Sequence, residues 1–289
     1  MESVRTIEEL RTIINKKKKE GKKIGFVPTM GFLHDGHLSL IEISKKHSDF
    51  QVMSIFVNKI QFNDKSDYEN YPREIERDLK LARGAGIDVV FLPDDSEMYN
   101  NRLTYVDMMT LTDNLCGAHR PGHFKGVFTV VAKLFNIVQP DVSVFGQKDI
   151  QQAISIEKMV FDLNFPIKII IAPTIREKEG LAMSSRNKHL SNDERKRALC
   201  IYESLKAAEE LIASGEINVS VIISEIKKII NKGKPEKVDY ISITSYDDLQ
   251  PVDRIEGKSV IAVAAFYGST RLIDNMIVER IGKDFKCIY

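Results

Sequence analysis

Short apolar segments that alternate with helix-length amphipathic ones constrain this chain more than any other feature of its sequence. Strand-like runs fall at Ile24 to Val27, Val52 to Val57, Val89 to Leu92, Val142 to Phe145 and Ile167 to Ala172. Helical spacing of apolar residues fills the intervals at about 36–46, 75–82, 126–138 and 149–162. A first helix is opened by the capping box Thr6-Ile7-Glu8-Glu9. Parallel strands need a long crossover between them, usually a helix, so the alternation predicts right-handed βαβ units and an α/β fold with a parallel sheet.

The pattern changes after Pro173. A second capping box, Ser191-Asn192-Asp193-Glu194, opens one long helix expected to reach Ala213, and another helix spans about 218–232. Strands follow at Val238 to Ile243 and Val260 to Phe266, with a last apolar segment at Leu272 to Val278. Helices followed by strands predict a smaller α+β domain, and the expected division is residues 1–177 and 178–289.

Charge and cysteine usage exclude several classes of function. Forty-two basic residues against 41 acidic ones leave a net charge of +1, without the basic footprint of a nucleic-acid protein. The run Lys16 to Lys19 reads as the solvated end of the first helix, since no aromatic residue interleaves with it. Cys116, Cys200 and Cys287 are far apart and form no Cys-x-x-Cys pair, so neither a zinc knuckle nor a disulfide framework is expected. The opening residues lack the apolar core of a signal peptide, and the apolar stretch Val127 to Val138 is too short to span a bilayer and contains Lys133. A cytoplasmic protein with no membrane role is the expectation.

Chemistry concentrates at three junctions. Pro28-Thr29-Met30-Gly31-Phe32-Leu33-His34-Asp35-Gly36-His37 lies between the first strand and the following helix. Ligands of open parallel sheets bind outside the carboxyl ends of the strands, where backbone N–H groups and the helix dipole favour a phosphate. Gly31 and Gly36 would let the chain turn and approach a ligand, and His34 and His37 can point at one cluster of oxygens. The His-x-x-His spacing also occurs in zinc sites, but the metalloprotease His-Glu-x-x-His is absent and no third ligand follows. There is no Walker A sequence, and Gly84-Ala85-Gly86 fits a helix C-terminus better than a phosphate loop.

The second junction is Phe145-Gly146-Gln147-Lys148-Asp149-Ile150-Gln151-Gln152. Lys148 is a point charge suited to phosphate, Asp149 can accept from a ribose hydroxyl or cap the helix, and Gln152 falls about one turn later. The third is Met183-Ser184-Ser185-Arg186, two hydroxyls beside a guanidinium near the expected domain boundary, where a clamp can close on a polyphosphate.

Together these motifs resemble the nucleotidyltransferase superfamily that includes class I aminoacyl-tRNA synthetases. His34-Asp35-Gly36-His37 stands where that group has His-Ile-Gly-His, and Met183 to Arg186 stands where it has Lys-Met-Ser-Lys-Ser. The chain is more closely similar to the pantothenate synthetase family over nearly its whole length. Further motifs carry that likeness: Phe56-Val57-Asn58, Gln61-Phe62, Tyr71-Pro72-Arg73, Arg120-Pro121-Gly122-His123-Phe124 and Met183-Ser184-Ser185-Arg186-Asn187.

The resemblance implies a Rossmann-like domain that binds ATP and pantoate, followed by a smaller lid domain. It implies ATP-dependent ligation of pantoate to β-alanine through a pantoyl adenylate, with Mg²⁺ and a homodimeric assembly. Met30 to His37 would line the ATP site, with His34 and His37 on the phosphates and His37 as a proton donor. Gly146, Gln147, Lys148 and Asp149 would hold ribose and phosphate, Ile175 would touch the nucleotide through its backbone, and Met183 to Arg186 would close over the triphosphate. Gln61 and Gln152 would bind pantoate with Asn58 beside them, and Asp78 would serve magnesium. Three positions depart from the family pattern. Lys59 stands where Pro is common and Gln147 where Glu is frequent. Cys116 stands where many members have Glu, and is expected to be a buried small hydrophobe without a role.

Overall fold

The computed structural model describes residues 1–282 and 284–289. The chain forms two compact units. The first comprises Met1–Met108, Arg120–Gly146 and Ser155–Ala172; the second comprises Met109–His119, Gln147–Ile154 and Pro173–Tyr289.

The first unit is built on a six-stranded sheet of β1 (Glu2–Val4), β2 (Ile24–Thr29), β3 (Phe50–Ile55), β4 (Val89–Phe91), β5 (Val142–Gly146) and β6 (Lys168–Ala172). Every pairing is parallel, in the order β1-β4-β3-β2-β5-β6. The chain winds outward from β2 through β3 and β4, then returns to the other side of β2 with β5. The crevice outside the carboxyl ends of β2 and β5 is therefore the switch point, where such sheets bind ligands. The longer helices are α1 (Ile7–Lys19), α2 (Asp35–Lys45), α3 (Ile75–Gly84) and α4 (His123–Val138), followed by α5 (Ile150–Asp162), whose first turn counts with the second unit.

Sequence pattern and packing agree in most of these elements. Val27, Leu40, Ile41, Met53, Val90 and Val144 form one apolar cluster between α2 and the sheet. Helix α4 is apolar on nearly all sides and buried accordingly, which accounts for the apolar stretch at 127–138. Among the described residues no helix is long and apolar enough to cross a membrane. The Gly84-Ala85-Gly86 run closes α3 with Ile87 N–H donating to Ala82 O at 3.0 Å and Gly86 N–H to Arg83 O at 3.2 Å, so it is a helix end. Strand β1 has no counterpart in the sequence reading: three residues with one buried side chain, Val4, carry no periodicity.

The second unit holds an antiparallel sheet of β7 (Lys237–Ser245), β8 (Ser259–Tyr267), β9 (Thr270–Ile281) and β10 (Asp284–Ile288), in the order β10-β9-β8-β7. Helices α6 (Cys200–Ala213) and α7 (Val219–Lys232) bury Leu205, Ala208, Ile212, Ile222, Ile226 and Ile230 in one core with Ile261 and Val263 of the sheet. The long helix expected from Ser191 breaks at Leu199. A shorter helix ends at Ala198, and Leu199 N–H bonds back to Lys196 O, three residues away. Packing overrides local propensity here: α6 then starts at Cys200, whose Sγ lies 2.9 Å from Tyr267 Oη. Strand β10 was also not foreseen.

A buried ion pair braces this unit. Arg176 donates to Asp274 from Nη1 at 2.5 Å and Nη2 at 3.0 Å, and the Asp274 side chain is 3% exposed. Burial pushes the Asp274 carboxyl up, against the pull of Arg176. Removing the cation should therefore be costly. Arg176→Ala is expected to lose about 3 kcal/mol or more of stability, seen as a lower urea midpoint at constant slope. An unchanged midpoint would show that the pair braces nothing.

Candidate active site

The loop after β2 is an unusual piece of backbone. Gly31 (φ +82°) and Phe32 (φ +52°) both adopt left-handed conformations. A Cβ on Gly31 would stand 2.9 Å from Asp78 Oδ2 and 3.0 Å from Ile55 Cγ2, so both space and torsion call for glycine. Asp78 of α3 holds the turn: its Oδ2 accepts from Phe32 N–H at 2.7 Å and its Oδ1 from Leu33 N–H at 2.8 Å. Arg77 adds a bond to Leu33 O at 3.0 Å and lies over the Phe32 ring.

The clasped loop delivers two histidines to the start of α2. His34 is the N-cap and its Nδ1 accepts from Gly36 N–H at 3.2 Å; His37 Nδ1 accepts from His34 N–H at 3.3 Å. The ring centroids are 4.1 Å apart. Because each Nδ1 is an acceptor, the proton of each neutral ring sits on Nε2, which makes that nitrogen a donor for anionic oxygens. Gly36 lies inside the first helical turn, so the chain reversal expected of it falls on Gly31 and Phe32 instead. Asp35 is exposed.

Beside this loop a polar network surrounds Gln61. The turn Lys59–Gln61 follows β3, and Gln61 Nε2 donates to Met30 Sδ at 3.2 Å. Asn58 Nδ2 donates to Gln61 Oε1 at 2.9 Å, and Tyr99 Oη donates to Asn58 Oδ1 at 2.7 Å. Lys59 occupies the first position of the turn, where the N–H needs no partner, so lysine forms the turn that proline would favour. Sequence reasoning did not single out Tyr99; no local motif marks a tyrosine at the end of a five-residue helix.

The second unit carries the remaining candidates. Asn275 of β9 donates to Gln147 O at 2.9 Å and Lys148 O at 3.0 Å, which fixes the turn that bears Lys148. The Lys148 side chain is 20% exposed, with Nζ 3.7 Å from the exposed Asp149 carboxylate. Gln152 is half-buried, while its neighbour Gln151 is committed to Leu111 O and Asn114 O. Ile175 O accepts from Met183 N–H at 2.9 Å, so the two ends of the 175–183 hairpin are tied. Ser184 Oγ accepts from Arg186 N–H at 3.3 Å and opens the short helix Ser185–His189. Asn187 and Arg195 both bond Glu177, bracing the hairpin from behind.

Several side chains do other work than expected. Leu33 is fully buried in the apolar cluster of the sheet, and its N–H and carbonyl are held by Asp78 and Arg77, so it shapes the loop from within. Gln147 is 2% exposed and its Nε2 donates to Ile288 O at 2.8 Å, a bond that glutamate could not make. Asp78 is 1% exposed, both its oxygens accept from the loop, and Arg77 lies 3.7 Å from it. A carboxylate so enclosed, with a guanidinium beside it, fits a loop anchor and does not fit a magnesium ligand. Cys116 is half-buried, not sealed in apolar surroundings: its Sγ lies 3.2 Å from Tyr240 Oη and 3.6 Å from Arg271 Nη1.

Comparison with known proteins decides the family. The profile described as pantoate-beta-alanine ligase matches residues 2–277. The chain belongs to the pantoate–β-alanine ligase family. It is 55% identical over 272 residues to the pantothenate synthetase of a Thermoanaerobacter species, covering 94% of this chain and 96% of that protein. It is 53% identical over 274 residues to that of Caldicellulosiruptor saccharolyticus, covering 94% and 98%. The crystal structure of pantothenate synthetase from Thermus thermophilus superposes with a TM-score of 0.90 at 41% identity, over 95% of this chain and 98% of that one. The pantoate-beta-alanine ligase of Francisella tularensis, solved in complex with β-γ ATP and β-alanine, gives 0.78 at 34% identity over 95% and 97%. The reaction of the pantoate–β-alanine ligase family is an ATP-dependent ligation, and this member is an enzyme.

The clasp predicts a result that separates anchor from metal ligand. Asp78→Asn would place an amide NH₂ against a backbone N–H that now meets an oxygen. It should lose about 1–3 kcal/mol of stability in metal-free, ATP-free buffer with a chelator present. A variant as stable as the parent under those conditions would overturn the anchoring role.

Proposed function

We propose that this chain joins pantoate to β-alanine in two steps: pantoate's carboxylate attacks the α-phosphorus of ATP, giving pantoyl adenylate and pyrophosphate, and the amine of β-alanine then displaces AMP. The observation that carries this reading is the contact of Gln61 Nε2 with Met30 Sδ, which sets the residue assigned to pantoate against the loop assigned to ATP. An acyl group held there would have its carboxylate beside the nucleotide, as adenylation requires. A carboxylate is a poor electrophile, and AMP supplies its leaving group.

The roles follow the chemistry of each group. The Nε2 donors of His34 and His37 and the charge of Lys148 are assigned to the phosphates, with His37 also a proton donor. Asp149, the loop Met30–Leu33 as lining, and the backbone of Gly146, Gln147 and Ile175 are assigned to the nucleotide, and Ser184, Ser185 and Arg186 to the triphosphate. Gln61 and Gln152 would hold pantoate, with Gln61 also near β-alanine. Residues 178–289 would act as the lid-bearing domain. ATP is expected as its magnesium complex, the ion held by phosphate oxygens and water rather than by Asp78.

A cytoplasmic location suits three free thiols. A homodimer is also proposed. On the first unit, β6 ends the sheet, and Phe161 and Leu163 nearby are 75% and 53% exposed, an apolar edge that a second copy would cover.

Two outcomes are expected. AMP and pyrophosphate should accumulate at steady state only when pantoate, β-alanine and ATP are all present; steady ADP would mean attack at the γ-phosphorus and would refute the adenylate route. Lys148→Ala should lower kcat on the order of 10²-fold while KM for ATP changes less, as for a donor that meets charge developing on the phosphates. A near-normal kcat would remove Lys148 from the chemistry.

A further inference from the structure

The amide of Gln61 is held in one orientation by groups whose own polarity leaves no choice. The carbonyl oxygen of Gly126 can only accept, and the Asn58 amide lies 3.1 Å from it, so the atom facing it is Nδ2. The Asn58 oxygen then faces the other way, where Tyr99 Oη donates to it at 2.7 Å. The second Nδ2 hydrogen goes to Gln61 Oε1 at 2.9 Å. The oxygen of Gln61 is thereby turned inward and its NH₂ outward, toward the weak acceptor Met30 Sδ.

The surroundings hold this arrangement in place. Gln61 O is 2.7 Å from His123 Nδ1, and Arg120 Nη1 is 3.1 Å from His123 Nε2. A carbonyl only accepts and a guanidinium only donates, so His123 is the Nδ1–H tautomer and donates to the Gln61 backbone. A Cβ on Gly126 would stand 2.4 Å from Ile60 O and 2.7 Å from Gln61 Cα, so only glycine lets the α4 carbonyl come this close. The Tyr99 ring packs against Phe56, and burial pushes its hydroxyl up, so it stays protonated and able to donate.

We propose that Tyr99 is a positioning residue for the acyl substrate: it holds the oxygen of the Asn58 amide whose polarity Gly126 O sets, and thereby keeps Gln61 offering N–H donors, so this position selects an oxygen acceptor on the pantoyl group and rejects a donor-only group such as an ammonium. The inference rests on the reading of Gln61 as a pantoate contact. Its reach is specificity: a Gln61 free to flip would accept either polarity.

A double-mutant cycle read on the pantoate KM tests it. Tyr99→Phe should raise that KM about tenfold, the size of one hydrogen bond, while the KM for ATP stays within about twofold. In a Gln61→Ala background the same substitution should add nothing. Asn58→Asp cannot donate to Gln61 and would draw its NH₂ inward, so it should raise the pantoate KM at least as much as Tyr99→Phe. An equal effect of Tyr99→Phe in both backgrounds, or none in the parent, would overturn the relay while leaving Gln61 a pantoate contact. If Gln61→Ala itself leaves the pantoate KM unchanged, the assignment of Gln61 fails and the relay falls with it.

Discussion

The clasp between Asp78 and the backbone of Phe32 and Leu33 is the constraint on which the rest of the site depends. A left-handed phenylalanine is costly even beside a glycine that adopts that region freely, and a turn of this kind persists only where its surroundings over-determine it. A buried carboxylate that accepts two charge-assisted hydrogen bonds does that, and no smaller or neutral side chain could do as much from the same place on α3. Everything downstream inherits its position from that turn: His34 as the cap of α2, His37 one turn on, and the Nε2 edges of both rings. Met30, on the other side of the turn, is carried to the amide of Gln61.

A second principle runs through the polar interior, which is that groups with fixed polarity dictate the orientation of groups without it. The carbonyl of Gly126 orients Asn58, and Asn58 orients Gln61. The backbone N–H groups of His34 and Gly36 choose the tautomers of the two histidines. In both cases a flexible or ambivalent side chain is made a committed donor, which suits a reaction whose ligands, carboxylate and phosphates, present oxygens. The arrangement costs no reorganisation at the moment of reaction.

Much of this was legible in the sequence because periodicity reports burial. Five of the six parallel strands, the core helices and the strand-end positions of Met30 to His37 and of Gly146 to Asp149 follow from apolar spacing alone. What failed was what depends on contacts distant in sequence. Strand β1 buries a single side chain and so carries no apolar run, the break at Leu199 is imposed by packing around Cys200, and Tyr99 acquires its place only through Asn58. Asp78, Gln147 and Cys116 show the same limit from the other side. A carboxylate, an amide and a thiol near a site invite a ligand-binding or an inert reading, and only their partners reveal an anchor, an interior donor and a polar contact. The lysine at 59 shows the reverse, since a departure from the family pattern falls at a turn position that needs no N–H partner, and the turn forms.

The proposed reaction activates the acyl group as an adenylate and holds it before the amine arrives. A mixed anhydride in open water would be lost to hydrolysis, so the site must retain it. Rapid quench of the enzyme with labelled ATP and pantoate, in the absence of β-alanine, tests this most directly. A burst of pyrophosphate near one per active site is expected, with an enzyme-bound adenylate that passes into pantothenate when β-alanine is added. No adenylate before the amine is added would contradict it and would require a concerted or amine-first route.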